Sequence, residues 1–116
     1  AYDLESNNGA NGDQFVVNQQ AWAGYVPTHT CPGNHESAED FTQYIARFGE
    51  SMPPSAPGAN GTYHSFDVGI THVIMLSSEA YFYVSGHGLL MLPAMYQWLV
   101  ADLQAVNRTV TPWIMR

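Results

Sequence analysis

Apolar positions recur along this chain in two rhythms. Phe41, Tyr44, Ile45 and Phe48 fall at i, i+3, i+4 and i+7 and are followed by Gly49, which predicts a short helix with a glycine stop. Ser37, with Asp40 three residues on, reads as its N-terminal cap. A second stripe, Leu92, Tyr96, Leu99, Leu103 and Val106, predicts a helix over 92–106, with Pro93 in the first turn, where a missing N–H costs nothing. Residues 15–25 carry Phe15, Val16, Trp22 and Ala23 at weaker helical spacing. The rhythm changes at 62–68, where apolar and polar residues alternate as in a half-buried strand. Residues 70–77 contain the unbroken run Val73-Ile74-Met75-Leu76, which predicts a strand buried on both faces, with Gly69 as the tight turn before it. Residues 111–115 begin another apolar strand at the chain end. The Asn-, Gly- and Pro-rich stretches 3–13 and 51–61 read as loops, 27–36 is irregular by composition, and 79–88 reads as an aromatic loop. Helices alternating with apolar strands predict an α/β layered domain.

Charge narrows the partners. The chain has 3 basic residues, all arginine, against 10 acidic ones, a net charge of −7. Arg47, Arg108 and Arg116 are too few and too scattered to neutralise a run of phosphates, so nucleic acid and an anionic membrane surface are poor partners. Such a chain would also repel a phosphate ester unless positive charge were supplied locally, and a bound metal ion is the obvious supplier. No apolar run approaches the ~20 residues of a membrane span. Cys31 is the only cysteine, so no disulfide forms within the chain. Asn60-Gly61-Thr62 and Asn107-Arg108-Thr109 match the N-glycosylation pattern, which places Asn60 and Asn107 as acceptors and points to a secreted or extracellular protein, or alternatively a lysosomal or vacuolar one.

The chemistry concentrates at Gly33-Asn34-His35-Glu36, between the irregular segment and the first strongly periodic helix. Gly33 permits close approach of backbone to an ion, and Asn34 offers a neutral carbonyl oxygen to a divalent metal. His35 can ligate, or give a proton to a departing oxygen. Glu36, one position on, is better placed to orient its neighbours than to reach the same ion. Taken alone, four such residues are also ordinary loop chemistry ahead of a helix.

The wider text adds Thr30-Cys31-Pro32 before the motif, then Phe41-Thr42-Gln43-Tyr44, Arg47-Phe48, Met52-Pro53, Tyr63-His64-Ser65-Phe66-Asp67-Val68-Gly69, Tyr96-Gln97-Trp98-Leu99 with Asp102-Leu103, and Val106-Asn107-Arg108-Thr109 with Thr111-Pro112-Trp113-Ile114. In order and spacing these resemble the purple acid phosphatases over nearly the whole chain. The resemblance implies a partial α/β/β/α metallophosphoesterase sandwich over residues 1–116, truncated at both ends. It implies hydrolysis of phosphate monoesters by a binuclear centre of Fe(III) beside a divalent zinc, iron or manganese. Asn34 then corresponds to the asparagine ligand of the divalent ion and His35 to the histidine at the substrate phosphate or its leaving oxygen. Tyr2 corresponds to the phenolate ligand of the ferric ion, at the tail of a Gly-Asp-x-x-Tyr block whose Gly-Asp is absent here. The family's bridging aspartate and its further histidine blocks have no counterpart in this chain, so the isolated chain is expected to be inactive. A phosphodiesterase or nucleotidase of the same superfamily and a non-catalytic secreted glycoprotein domain are the competing readings. Tyr2 separates the purple acid phosphatase reading from the phosphodiesterase or nucleotidase reading, because a ferric phenolate is expected only in the purple enzymes and would colour the intact protein. Oligomeric state is not legible.

The remaining polar residues read as structural. His29, His64, His72 and His87 show no ligand spacing; Cys31 reads as a small buried residue and Glu79 as a solvated turn carboxylate. Tyr81, Phe82, Tyr83 and Trp113 read as core aromatics.

Overall fold

The sheet is built around the turn at Gly69. The computed structural model describes residues 3–83 and 87–116. In it, β1 (His64–Val68) and β2 (Thr71–Met75) form an antiparallel hairpin in which Val68 faces Thr71. Gly69 supplies the left-handed turn at φ 57, a conformation that costs a side-chain-bearing residue but not glycine. β3 (Trp113–Met115) adds to β2 in parallel, giving the order β1-β2-β3 and a mixed sheet. The helix between β2 and β3, His87–Ala105, makes the crossover that a parallel pair requires. Two further helices precede the sheet, α1 (Ala10–Ala23) and α2 (Thr42–Phe48), so the crossover helix is α3. A single 3-10 turn, Ser78–Tyr81, leads out of β2. Helices over a small mixed sheet agree with the predicted α/β class.

Register decides which side chains share a face. His72, Ile74 and, on β1, Ser65 and Asp67 lie on the face toward α3; His64 and Phe66 lie on the other, with Val73 and Met75. The hydrophobic core lies on the α3 side, where Tyr63, Ala59, Ala80, Met91 and Met95 are buried and Leu76, Leu92 and Trp98 pack against them. The opposite face is covered at β1 by His29, whose ring stacks on Phe66 with centroids 3.6 Å apart.

Several expectations need correction. The stretch 70–77 is not buried on both faces: His72 and Ile74 are buried, but Thr71, Val73 and Met75 are only partly covered, because one packed layer lies over this sheet. The α3 stripe is rotated, since Met91, Met95, Trp98 and Asp102 face inward while Tyr96 and Leu103 are exposed. Pro93 sits inside α3 rather than in its first turn, on the exposed side beside Leu89 and Leu90, where water can take the carbonyl it leaves without a donor. Ser37 does not cap α2: its hydroxyl donates back to the Asn34 carbonyl at 2.7 Å, and α2 starts only at Thr42 after Glu39, Asp40 and Phe41 take left-handed backbone in succession. α1 also begins earlier than the weak periodicity indicates, because the Arg47 guanidinium reaches across to the Gly9 carbonyl and the Asp13 carboxylate, both at 2.8 Å, and fixes its first turn. Within the predicted loop 79–88, residues 84–86 lie outside the described residues, and His87 opens α3 rather than lying in a loop.

Candidate functional site

The segment carrying Gly33-Asn34-His35-Glu36 is held from both sides. Upstream, the Tyr44 hydroxyl lies 3.0 Å from the Thr30 carbonyl, 3.2 Å from the Gly61 carbonyl and 3.0 Å from the Thr30 hydroxyl. Burial pushes the Tyr44 phenol up to about 12, so it acts as a neutral hydrogen-bonding post at ordinary pH. At the motif itself, the Ser77 hydroxyl just past β2 donates to the Pro32 carbonyl at 3.1 Å. The loop is thereby tied to the end of the central strand.

Glu36 closes the turn reciprocally. Its buried carboxylate accepts the Gly33 N–H at 2.9 Å, and its own N–H donates to the Gly33 carbonyl at 3.1 Å. Gly33 is extended, at φ −107 and ψ −170, so left-handed backbone is not what calls for glycine here. Asn34 is exposed. His35 is half-buried and its Nδ1 lies 3.2 Å from Asp3 Oδ1, with both side chains substantially exposed. Asp3 comes from the N-terminal loop, so a residue far away in sequence is brought onto the motif. Tyr2 lies outside the described residues. Cys31 is half-buried, and burial first, then the Glu36 charge, pushes its thiol up, which keeps it protonated and a poor metal ligand.

As a metal centre the described residues do not suffice. Among them, no three His, Cys, Asp or Glu side chains are arranged to hold an ion. Asn34 offers a single neutral oxygen, too little to hold an ion without a set of stronger donors. The residues in hand therefore do not fit a binuclear pair on their own, and no catalytic step is routed through one.

Two histidine clusters lie elsewhere on the sheet, on residues read from sequence as merely structural. On the open face, His29 Nδ1 and His64 Nε2 are 3.3 Å apart, one donating to the other. His64 is fully buried, and its Nδ1 has no partner. Burial, then the nearby His29, pushes His64 down to about 4, so it is a neutral imidazole. On the α3 face, His72 sits between two carboxylates, Nδ1 at 2.6 Å from Asp67 Oδ1 and Nε2 at 2.8 Å from Asp102 Oδ2. The Ser65 hydroxyl donates to the other Asp102 oxygen at 2.6 Å. Burial opposes protonation of His72, but the two carboxylates outweigh it and raise its pKa above 6.5. The signal for this cluster was present: a two-residue turn at Gly69 puts Asp67 opposite His72, and alternation puts Ser65 on the same face. Only Asp102, which interrupts an apolar helix face, could not be placed by pattern.

Glu79 is partly buried at the 3-10 turn, while Tyr81, Phe82 and Trp113 are exposed rather than core. Asn60 and Asn107, the glycosylation candidates, are both exposed. No helix of the described residues is long and apolar enough to cross a membrane.

No family model and no solved structure matches the chain. Individual proteins do. The chain is 48% identical over 119 residues to a Danio rerio protein named acid phosphatase type 7, covering 99% of this chain and 26% of that protein. The Homo sapiens protein of the same name is 39% identical over 118 residues, covering 99% of this chain and 25% of the relative. Arabidopsis thaliana purple acid phosphatase 23 is 41% identical over 96 residues, 78% of this chain and 19% of that protein. The chain thus spans about a quarter of the length of the curated relatives that match it along nearly all its residues. Over nearly its entire length the chain is similar to one segment of proteins named acid phosphatase type 7, and over 78% of it to one segment of a protein named purple acid phosphatase 23.

Proposed function

We propose that this chain is part of a metal-dependent acid phosphatase that hydrolyses phosphate monoesters, and that it contributes Asn34 and His35 to the catalytic centre. The observation that carries the reading is the 48% identity over 99% of the chain to a protein named as an acid phosphatase. The mixed sheet with α3 on one face would be one side of a larger α/β/β/α sandwich. In this reading Asn34 gives its amide oxygen to a divalent zinc, iron or manganese ion, and Tyr2 gives its phenolate to Fe(III). A bound metal would supply the positive charge that a chain of net charge −7 lacks.

The chain's own residues have narrower tasks. His35, whose Nδ1 lies 3.2 Å from Asp3 Oδ1, would in this reading bond a phosphate oxygen or protonate the leaving group. Glu36 keeps the turn closed by holding the Gly33 N–H, and so sets where Asn34 projects. The partial character of the ligand set leads to a second statement: these 116 residues alone are inactive. The exposed sequon residues Asn60 and Asn107 support a secreted or extracellular glycoprotein, or alternatively a lysosomal or vacuolar one.

The test is a phosphatase assay of the complete protein supplied with iron and zinc. Asn34→Ala and His35→Ala are each expected to lower kcat/KM at least ~100-fold, in the range found for loss of a ligand contact or of general acid catalysis. Wild-type turnover in either variant would refute the assignment. Metal-dependent turnover by residues 1–116 alone, lost on Asn34→Ala, would refute the inactivity.

A further inference from the structure

Asp67, His72 and Asp102 form a linear bridge across three elements: β1 supplies the first, β2 the second and α3 the third. A neutral imidazole carries one N–H and one lone pair, whereas both partners of His72 are carboxylates, which only accept. With neutral His72, one of the two short contacts would place a lone pair against an anionic oxygen. Both contacts, at 2.6 and 2.8 Å, become hydrogen bonds only when His72 carries a proton on each nitrogen.

The location gives that proton mechanical meaning. Asp102 occupies a position on the buried stripe of α3, with only 14% of its side chain exposed, and Ser65 and His72 are its partners on the sheet. Among the described residues lining the pocket at His72, no charged group besides its two carboxylate partners accompanies it. Asp67 is the charged group on β1 and Asp102 that on α3, while the rest of the surrounding pocket is neutral, Asn107 and Thr111 being its polar members. Arg108, on the segment after α3, is directed to the Pro112 carbonyl at 2.6 Å. Unpaired, Asp102 would be a largely buried anion on an otherwise apolar contact.

We propose that the Asp67–His72–Asp102 bridge is an acid-set latch: protonated His72 draws the C-terminal half of α3 onto the β1–β2 hairpin, and loss of that proton loosens the helix. The device operates whatever reaction the protein catalyses. Its direction agrees with the raised pKa of His72, which Asp102 and Asp67 bring about. A histidine raised in this way stabilises the fold fully below its ordinary value of 6.5, and the contribution is lost as pH rises through the folded value.

Hydrogen exchange of peptides covering residues 92–105 of the complete protein, measured between about pH 6 and about pH 8.5 and divided by the intrinsic rate at each pH, reads the latch directly. Protection of α3 is expected to fall with rising pH, by at most about tenfold per pH unit for a single proton. His72→Gln should abolish the step. Asp102→Asn should strongly reduce it with α3 still docked, because an amide can donate to a neutral imidazole. Asp67→Asn, at the exposed end of the bridge, acts likewise and does not depend on the buried position tolerating change. Flat protection in the wild type, or a step that persists undiminished in both Asp→Asn variants, overturns the proposal.

Discussion

Two histidines on one hairpin answer to acid in opposite ways, and the difference lies in what each nitrogen meets. His64 is sealed under His29, and burial together with that neighbour outweighs what the Gly61 backbone offers a protonated ring. Its folded pKa of about 4 lies below its ordinary 6.5, so its stabilising contribution is present above pH 6.5 and is lost as pH falls toward 4. Replacing it by the neutral His64→Gln should remove an acid-induced loss on the order of 3 kcal/mol across that window, measured by denaturant unfolding at several pH values. His72 acts with the opposite sign because carboxylates meet both of its nitrogens. Glu36 is a third case, a buried acid holding a backbone N–H. Glu36→Ala should cost about 1.5–3 kcal/mol in unfolding free energy, as for a hydrogen bond to a charged group, and Glu36→Gln less, since the amide oxygen still accepts. The place of Glu36 after Asn34 and His35 led to its reading as an orienting residue, and its bond to the Gly33 N–H came only with the fold. Of the histidine pairings, only Asp67 opposite His72 was legible, from the hairpin; His29 on His64 and Asp102 on His72 join residues distant in sequence.

Among the elements, helix existence was written in the apolar rhythm and helix faces were not. α2 and α3 were both predicted, yet α3 turns Met91, Met95, Trp98 and Asp102 inward instead of the stripe through Tyr96 and Leu103. Apolar residues surround so much of this helix that periodicity leaves its orientation open. Packing against Tyr63 and bonding to His72 settle it. The start of α2 shows the other limit, because a cap motif at Ser37 yields to three successive left-handed residues, a conformation that costs roughly 1–2 kcal/mol per residue and must be held by its surroundings. The end of α2 is tighter still. A Cβ on Gly49 would lie 2.6 Å from the Ile45 carbonyl and 3.0 Å from the Asn60 carbonyl, both backbone atoms that cannot swing aside. Gly49→Ala should therefore destabilise by about 1–3 kcal/mol, the range for overpacking, although alanine is ordinarily the better helix former. Chemical denaturation checks this, and a neutral or stabilised variant would contradict the close approach.

The whole molecule is thin. Its extents are 48 × 36 × 19 Å and its radius of gyration is 15.0 Å, against about 13 Å expected for a compact domain of this length. A slab 19 Å thick holds about two layers of secondary structure, so one helix layer covers one face of a three-stranded sheet and much apolar surface stays open. Trp113 and Met115 on β3, Val68 and Ile70 at the hairpin turn, and Leu89 and Leu90 on α3 are all exposed. β3 also has no strand on its outer side among the described residues, and an open edge of this kind invites pairing with another chain. Residues 1–116 expressed alone should consequently self-associate in the micromolar range, the scale at which open edges and apolar surface aggregate, as read by sedimentation velocity. A stable monomer at those concentrations would refute the expectation.

Local physics fixed what could be read locally. Alternation and a glycine at position 69 determined the hairpin, and helical spacing determined that α2 and α3 exist. The Gly33–Glu36 run, with the residues around it, pointed to the acid phosphatases among which the similar proteins lie. Tertiary structure decided everything that depends on residues distant in sequence: Asp3 against His35, His29 over His64, Asp102 on His72, and the face α3 buries. The physical reason is range. Backbone conformation and strand register follow from neighbours a few bonds away, whereas the charge state of a histidine and the burial of a helix face follow from whichever groups the folded chain places opposite them.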